Sequence, residues 1–125
     1  MEIITEDYVT LETAKLLKDK GFKQANCTTY YLDRQIWRHH HCEVIPKDKQ
    51  IYAAPTQAMA MKWLREKGII IIPKPKRFNK KGKCYVWDCS VYLKNSHIKL
   101  QSDFNSYEEA CETAIKSVIS TFVIK

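Results

Sequence analysis

The sequence predicts a single α+β domain in the order α-βββ-α-βββ-α, with antiparallel strands packed by helices. Two observations carry that prediction. Three segments repeat apolar residues at helical spacing and end in recognisable caps, and the stretches between them alternate apolar and polar residues between turn signals. At 125 residues the chain is long enough for one hydrophobic core, so residues 1–125 are read as one domain.

The first helix follows Thr10 in "LETAKLLKDK", where Leu11, Ala14 and Leu17 form an apolar stripe. Gly21 ends it, because a residue without a Cβ adopts the left-handed conformation that closes a helix, and Phe22 then folds back on Leu17. "CTTYYL" and "IWRHHHCEVI" read as strands flanking a turn at Asp33-Arg34, with "QIYA" as the third strand.

The second helix starts at Thr56 after Pro55, runs "QAMAMKWLREK" and stops at Gly68, with Ile69 folding back on Leu64. Its ending echoes that of the first helix, which suggests a pseudo-repeat with halves meeting near residues 56–68, or simply the same cap used twice. "IIII" follows as a strand too apolar to stand exposed, expected inside the sheet or under helices. In "CYVWDCSVYL", alternation puts Tyr85, Trp87, Cys89, Val91 and Leu93 on the buried side and Asp88 and Ser90 on the open face. A turn around Lys94-Asn95-Ser96 leads to "HIKLQ".

The third helix opens with a capping box, Ser106 and Glu109, followed by an apolar face of Tyr107, Ala110, Cys111, Ala114, Ile115, Val118 and Phe122. Asp103, Glu108, Glu109 and Glu112 suit the positive end of that helix and need no catalytic role.

Composition bounds the function classes. With 45% hydrophobic and 28% charged residues, the chain needs neither disorder nor a membrane span to account for it. The acidic start "MEIITEDYVT" lacks the basic-then-apolar order of a signal peptide, so a cytoplasmic setting is expected. Five scattered cysteines with no C-x-x-C pair point to reduced thiols packed as small hydrophobes. No cofactor is expected: three glycines build no phosphate loop, and no carboxylates pair at catalytic spacing.

Of the net charge of +7, six positive charges lie in "PKPKRFNKKGK", residues 73–83, leaving +1 for the rest. This segment is read as a basic loop. Lys74, Lys76, Arg77, Lys80, Lys81 and Lys83 would neutralise phosphates, and Phe78 would stack on a base. The plainer reading is a solvated hairpin loop that blocks edge pairing. "RHHHCE", residues 38–43, is the other candidate. On a strand His39 and His41 share a face, a two-ligand arrangement for zinc that needs further ligands from His97, Glu43, Cys84 or Cys89. The plainer reading is a strand exposing polar rings.

"YVTLETAKLLKDKGF", "APTQAMAMKWLREKGIIII" and "YEEACETAIKSVI", in that order, resemble a family of small proteins encoded by phages and prophages of the Bacteroides group of gut bacteria. The resemblance implies a setting, a bacterial host cell, and no particular chemistry. Residues 82–115 are also similar in layout to the three-strand-plus-helix DNA-binding domains of phage integrase arms and plant ethylene-response factors. Those carry Leu-Gly-x-Phe before the helix, where this chain has Leu100-Gln101-Ser102-Asp103-Phe104. The α-βββ-α order of the first half is similar to that of double-stranded-RNA-binding domains, which carry lysines at the start of the second helix where this chain has Gln57-Ala58-Met59-Ala60.

The reading that follows is a small accessory protein of phage or prophage type, not an enzyme. It would act by binding a host protein, including a component of host defence, or a small ligand in a cleft between helices and sheet. The alternative is a nucleic-acid-binding protein using residues 73–83. No membrane partner is expected, and the chain is a monomer or a homodimer, the latter joined through "IWRHHHCEVI" or the adjoining helix faces.

Overall fold

The structure is a computed structural model that describes residues 7–23, 28–38, 51–78, 82 and 84–121. Its elements follow the predicted order: α1 (Leu11–Asp19), β1 (Thr29–Leu32), β2 (Gln35–Arg38), β3 (Tyr52–Ala53), α2 (Gln57–Glu66), β4 (Ile70–Phe78), β5 (Tyr85–Leu93), β6 (Ser96–Phe104) and α3 (Tyr107–Thr121). Two antiparallel sheets result, ordered β2-β1-β3 and β4-β5-β6. None of the described helices is long and apolar enough to cross a membrane.

The caps explain where α1 and α2 begin and end. Thr10 and Thr56 are extended, and each side-chain oxygen accepts the backbone N–H three residues on, from Thr13 at 3.3 Å and Met59 at 3.2 Å. Gly21 and Gly68 take φ of 99° and 85°, so Phe22 N–H reaches Leu17 O and Ile69 N–H reaches Leu64 O, both at 2.9 Å. The two helix endings thus share one cap geometry. The two starts are also joined. Val9 N–H donates to Pro55 O at 3.0 Å and Gln57 N–H to Asp7 O at 2.8 Å, an antiparallel bridge centred on Tyr8 and Thr56.

The capping box of α3 forms in part as expected. Ser106 Oγ accepts Glu109 N–H at 3.0 Å, but the Glu109 carboxylate takes the N–H of Asn105, one residue earlier, at 2.9 Å. α3 is the hub of the core. Ala110, Cys111, Ala114, Ile115, Val118 and Ile119 are buried, and the helix packs on β4, β5 and β6 as well as on α1 and α2. β3 packs on α1, which ties the first sheet to the same core.

Glu112 corrects one expectation. Rather than serving its own helix dipole, its carboxylate accepts from the Thr10 hydroxyl at 3.1 Å, the Thr13 hydroxyl at 2.5 Å and Gln57 Nε2 at 3.3 Å. One side chain thus holds the N-terminal ends of α1 and α2 to α3, where the exposed amides of both helices favour a negative charge.

The strands depart from expectation in two places. β2 is described over Gln35–Arg38, at a sheet edge as its mixed polarity suggested, and the rest of "IWRHHHCEVI" lies outside the described residues. The β1–β2 turn at Asp33 and Arg34 has φ of 50° and 68°, the left-handed pair that matches strand twist in a tight hairpin. "IIII" is enclosed on one side only: among the described residues β4 is an edge strand, with Ile69 and Ile71 buried while Ile70 and Ile72 face outward. The second departure is β4 itself, which continues through Phe78 where a loop was expected. Pro73 and Pro75 are two apart, so both missing donors fall on the same side of the strand. On an edge strand that can be the unpaired side, where no ladder bond is lost.

Candidate nucleic-acid interface

The long β4–β5 hairpin arm brings the candidate residues into register. Ile71, Pro73 and Pro75 stand opposite Val91, Cys89 and Trp87, on the face that α3 covers. Ile72 and Lys74 stand opposite Ser90 and Asp88 on the other face. Between Pro75 and Arg77 the register shifts, leaving Lys76 as an extra residue before Arg77 pairs with Val86 and Phe78 with Tyr85. A residue on each side of such a bulge turns to the same face, which simple alternation would forbid.

Lys76 and Arg77 use that freedom to reach one anion. Lys76 Nζ lies 3.0 Å from Asp103 Oδ1 and Arg77 Nη2 lies 3.0 Å from Asp103 Oδ2. Hydrogen bonds from Lys76 and then Arg77 hold the Asp103 carboxyl below the usual carboxylate range. Asp103 is on β6, which flanks β5 on the side opposite β4, so the ion trio spans the central strand. β6 is irregular at the same level: Trp87 pairs with Phe104 and Cys89 with Leu100, four residues against two. Val86 and Asp88 are buried in this stretch, and Ser90 is 1% exposed. The expectation that Asp88 and Ser90 stand open is therefore corrected: both are buried.

On the α3 face a row of rings runs along the arm. Phe78 and Tyr85 stack, with centroids 4.4 Å apart at 23°; Tyr85 meets Trp87 edge-on at 6.4 Å and Trp87 meets Tyr107 edge-on at 5.4 Å. The outer end is open to solvent: Phe78 is 54% exposed, and Tyr85 and Tyr107 are exposed too. Tyr85 was expected on the buried side. It has the right parity but lies beyond the reach of α3.

Of the predicted nucleic-acid residues, Lys74, Lys76, Arg77 and Phe78 are exposed on β4, while Lys80, Lys81 and Lys83 lie outside the described residues. The basic segment is accordingly a strand arm over Pro73–Phe78 and not a loop. The zinc candidates His39 and His41 also lie outside the described residues, as do Cys42 and Glu43. Among the described residues no three His, Cys, Asp or Glu side chains cluster as metal ligands. His97 instead stacks on Tyr92 at 4.3 Å, nearly parallel.

Sequence reasoning missed Asp103, Tyr85 and Tyr107 as members of this surface. The ring parity of Tyr85 and Trp87 was available; the pairing of Asp103 with cations 26 and 27 residues earlier was not. Two of the described thiols, Cys89 and Cys111, offer no nucleophile to it. Burial pushes Cys89 up to about 12 and Cys111 up to about 11, keeping both protonated and inaccessible. A separate open groove of about 600 Å³ lies between the end of α1 and α2, lined by Phe22, Met59, Lys62, Trp63, Glu66 and Lys67. Comparison of the chain with protein-family models, with curated proteins and with solved structures finds no match.

Proposed function

We propose that this protein acts by binding, not by catalysis, and that the β4–β5 arm docks on nucleic acid. One observation carries the reading: two cations converge on a single anion on one face of the arm, whose other face carries an exposed, stacked aromatic pair. Cations supply affinity for phosphates by releasing their counterions, and a free ring face accepts a base whatever its identity. A solvated loop would keep its charges apart, whereas β4 sets Lys74, Lys76, Arg77 and Phe78 along one strand. The sequence resemblance supplies the setting, an accessory protein of a phage or prophage in a bacterial host.

Fluorescence anisotropy with labelled single-stranded DNA, duplex DNA and RNA, at low and moderate salt, tests this. Binding should fall steeply with salt. Lys74→Ala, Lys76→Ala and Arg77→Ala together should weaken it uniformly across sequences and flatten the salt slope. Phe78→Ala should weaken single-strand binding by about 5-fold or more, the range expected when one stacked base is lost. Absence of binding at low salt would end the reading.

A second reading rests on the groove beside Trp63, where Phe22 meets the indole edge-on at 5.5 Å and Lys67 lies 5.6 Å from the ring centre. There a host protein or small ligand would dock on a mixed apolar and cationic surface. Capture of a discrete host protein, lost on Trp63→Ala and kept when the arm cations are removed, would favour it over nucleic acid.

A further inference from the structure

The ion trio on the arm has the form of an occupied anion site. Each oxygen of the Asp103 carboxylate takes one donor, Lys76 Nζ at one and Arg77 Nη2 at the other, both at 3.0 Å. Two oxygens presented to two fixed cationic donors is also how a phosphate is held. Two strand irregularities converge to make this arrangement. The bulge at Lys76 turns consecutive residues of β4 toward one point, and the extra residues of β6 lie beside Asp103. Bulges re-aim side chains at the edges of sheets, and here both flanking strands carry one at the same level of β5.

We propose that Asp103 is a built-in competitor for phosphate: its carboxylate occupies the place that a backbone phosphate takes when nucleic acid docks on the arm. The inference rests on the nucleic-acid reading above. All three side chains are exposed, so the trio sits in water, where an ion pair is held weakly and can exchange partners. Asp103 thus lowers the net positive charge that Lys74, Lys76 and Arg77 present. The arm thus holds phosphate only when the ligand offers enough further contact to displace the carboxylate, through Phe78 stacking or neighbouring cations. Isolated phosphates and short polyanions are refused.

The test compares the full chain with its Asp103→Asn and Asp103→Ser forms, using a labelled 20-nucleotide oligothymidylate and a duplex of equal length across a salt series. Asp19→Asn, at the end of α1, makes the same change in net charge away from the arm. Both Asp103 forms should bind about 5- to 20-fold more tightly at low salt. Their salt dependence should steepen by up to about 1.4 in log–log slope on the single strand, for two released cations. Asp19→Asn should match the parent, and adding Lys76→Ala and Arg77→Ala to Asp103→Asn should abolish the gain. If the parent binds and the Asp103 forms bind equally or more weakly, Asp103 is no competitor, and weaker binding would mean that it positions the cations. A gain shared by Asp19→Asn would reduce the effect to overall charge and overturn the site. Binding by none of these forms would remove the nucleic-acid reading itself.

Discussion

The backbone N–H of Thr10 donates to Glu112 Oε2 at 3.2 Å, across 102 residues of chain. With the Thr10 and Thr13 hydroxyls and the Gln57 amide on the same carboxylate, one side chain satisfies donors from the starts of two helices. Glu112→Ala should therefore lower stability by roughly 2–3 kcal/mol, since two part-buried and two exposed donors lose a charged acceptor together. Glu112→Gln keeps an acceptor oxygen and should lose only about 1 kcal/mol. Urea unfolding of the two variants measures both, and equal losses would mean that the charge is irrelevant.

Gly68→Ala isolates backbone strain. An added Cβ at Gly68 meets nothing within 4 Å, yet φ is 85°, where an L side chain clashes with its own carbonyl. The expected loss is about 1–2 kcal/mol, with a similar loss for Gly21→Ala at the matching cap of α1. A loss near zero at either site, read from thermal unfolding, would show that the cap relaxes to a right-handed turn.

The buried thiols make stability fall in alkali. Cys89 titrates at about 12 and Cys111 at about 11 in the folded chain, against an ordinary value of 9.0. Between these values the unfolded chain releases protons that the folded chain keeps, so stability is fully present below about pH 9 and declines as pH rises. Each thiol contributes a slope of about 1.4 kcal/mol per pH unit in that window. Urea midpoints from pH 7.5 to 10.5 should show the decline, and Cys89→Ala with Cys111→Ala should flatten it. Burial also raises Tyr31 and Tyr107, which extends the decline above pH 10.

Thiol accessibility gives an independent check. Iodoacetamide should modify exposed Cys84 in the native protein and leave Cys89 and Cys111 untouched until urea is added, as peptide mass mapping would record. Early modification of Cys111 would place α3 off the sheet.

Ser90 is the one buried side-chain polar atom without a hydrogen-bond partner among the described residues. Ser90→Ala removes a hydroxyl desolvated for no return and should raise stability by up to about 1 kcal/mol. A loss of more than about 1 kcal/mol would show that the hydroxyl has a partner.

What the sequence made legible was local. Thr10, Thr56, Gly21, Gly68 and Ser106 mark helix ends because capping acts over three or four residues, and each sits where its type implied. Asp33 and Arg34 likewise mark a hairpin, although neither is a glycine. The misreadings were of position within a sheet. Proline and lysine at residues 73–78 have the composition of a loop, and only the knowledge that β4 lies at an edge makes them a strand. That same fact exposes Ile70 and Ile72. The candidate site was half visible for the same reason: Lys76, Arg77 and Phe78 announce themselves by type, while Asp103 and Glu112 act on partners that only the fold brings near.

The prolines of β4 also bear on how copies of this sheet can add to one another. A sheet grows when a new strand exchanges donors and acceptors along a free edge, and among the described residues the second sheet has two such edges, β4 and β6. Along β4 a newcomer would find carbonyls but no donor at Pro73 or Pro75, whereas Ser96–Phe104 contains no proline. Growth is therefore one-sided. Two copies that met through β6 would close on a twofold axis and present only their blunted edges outward, so this sheet can pair but cannot run on into a fibre.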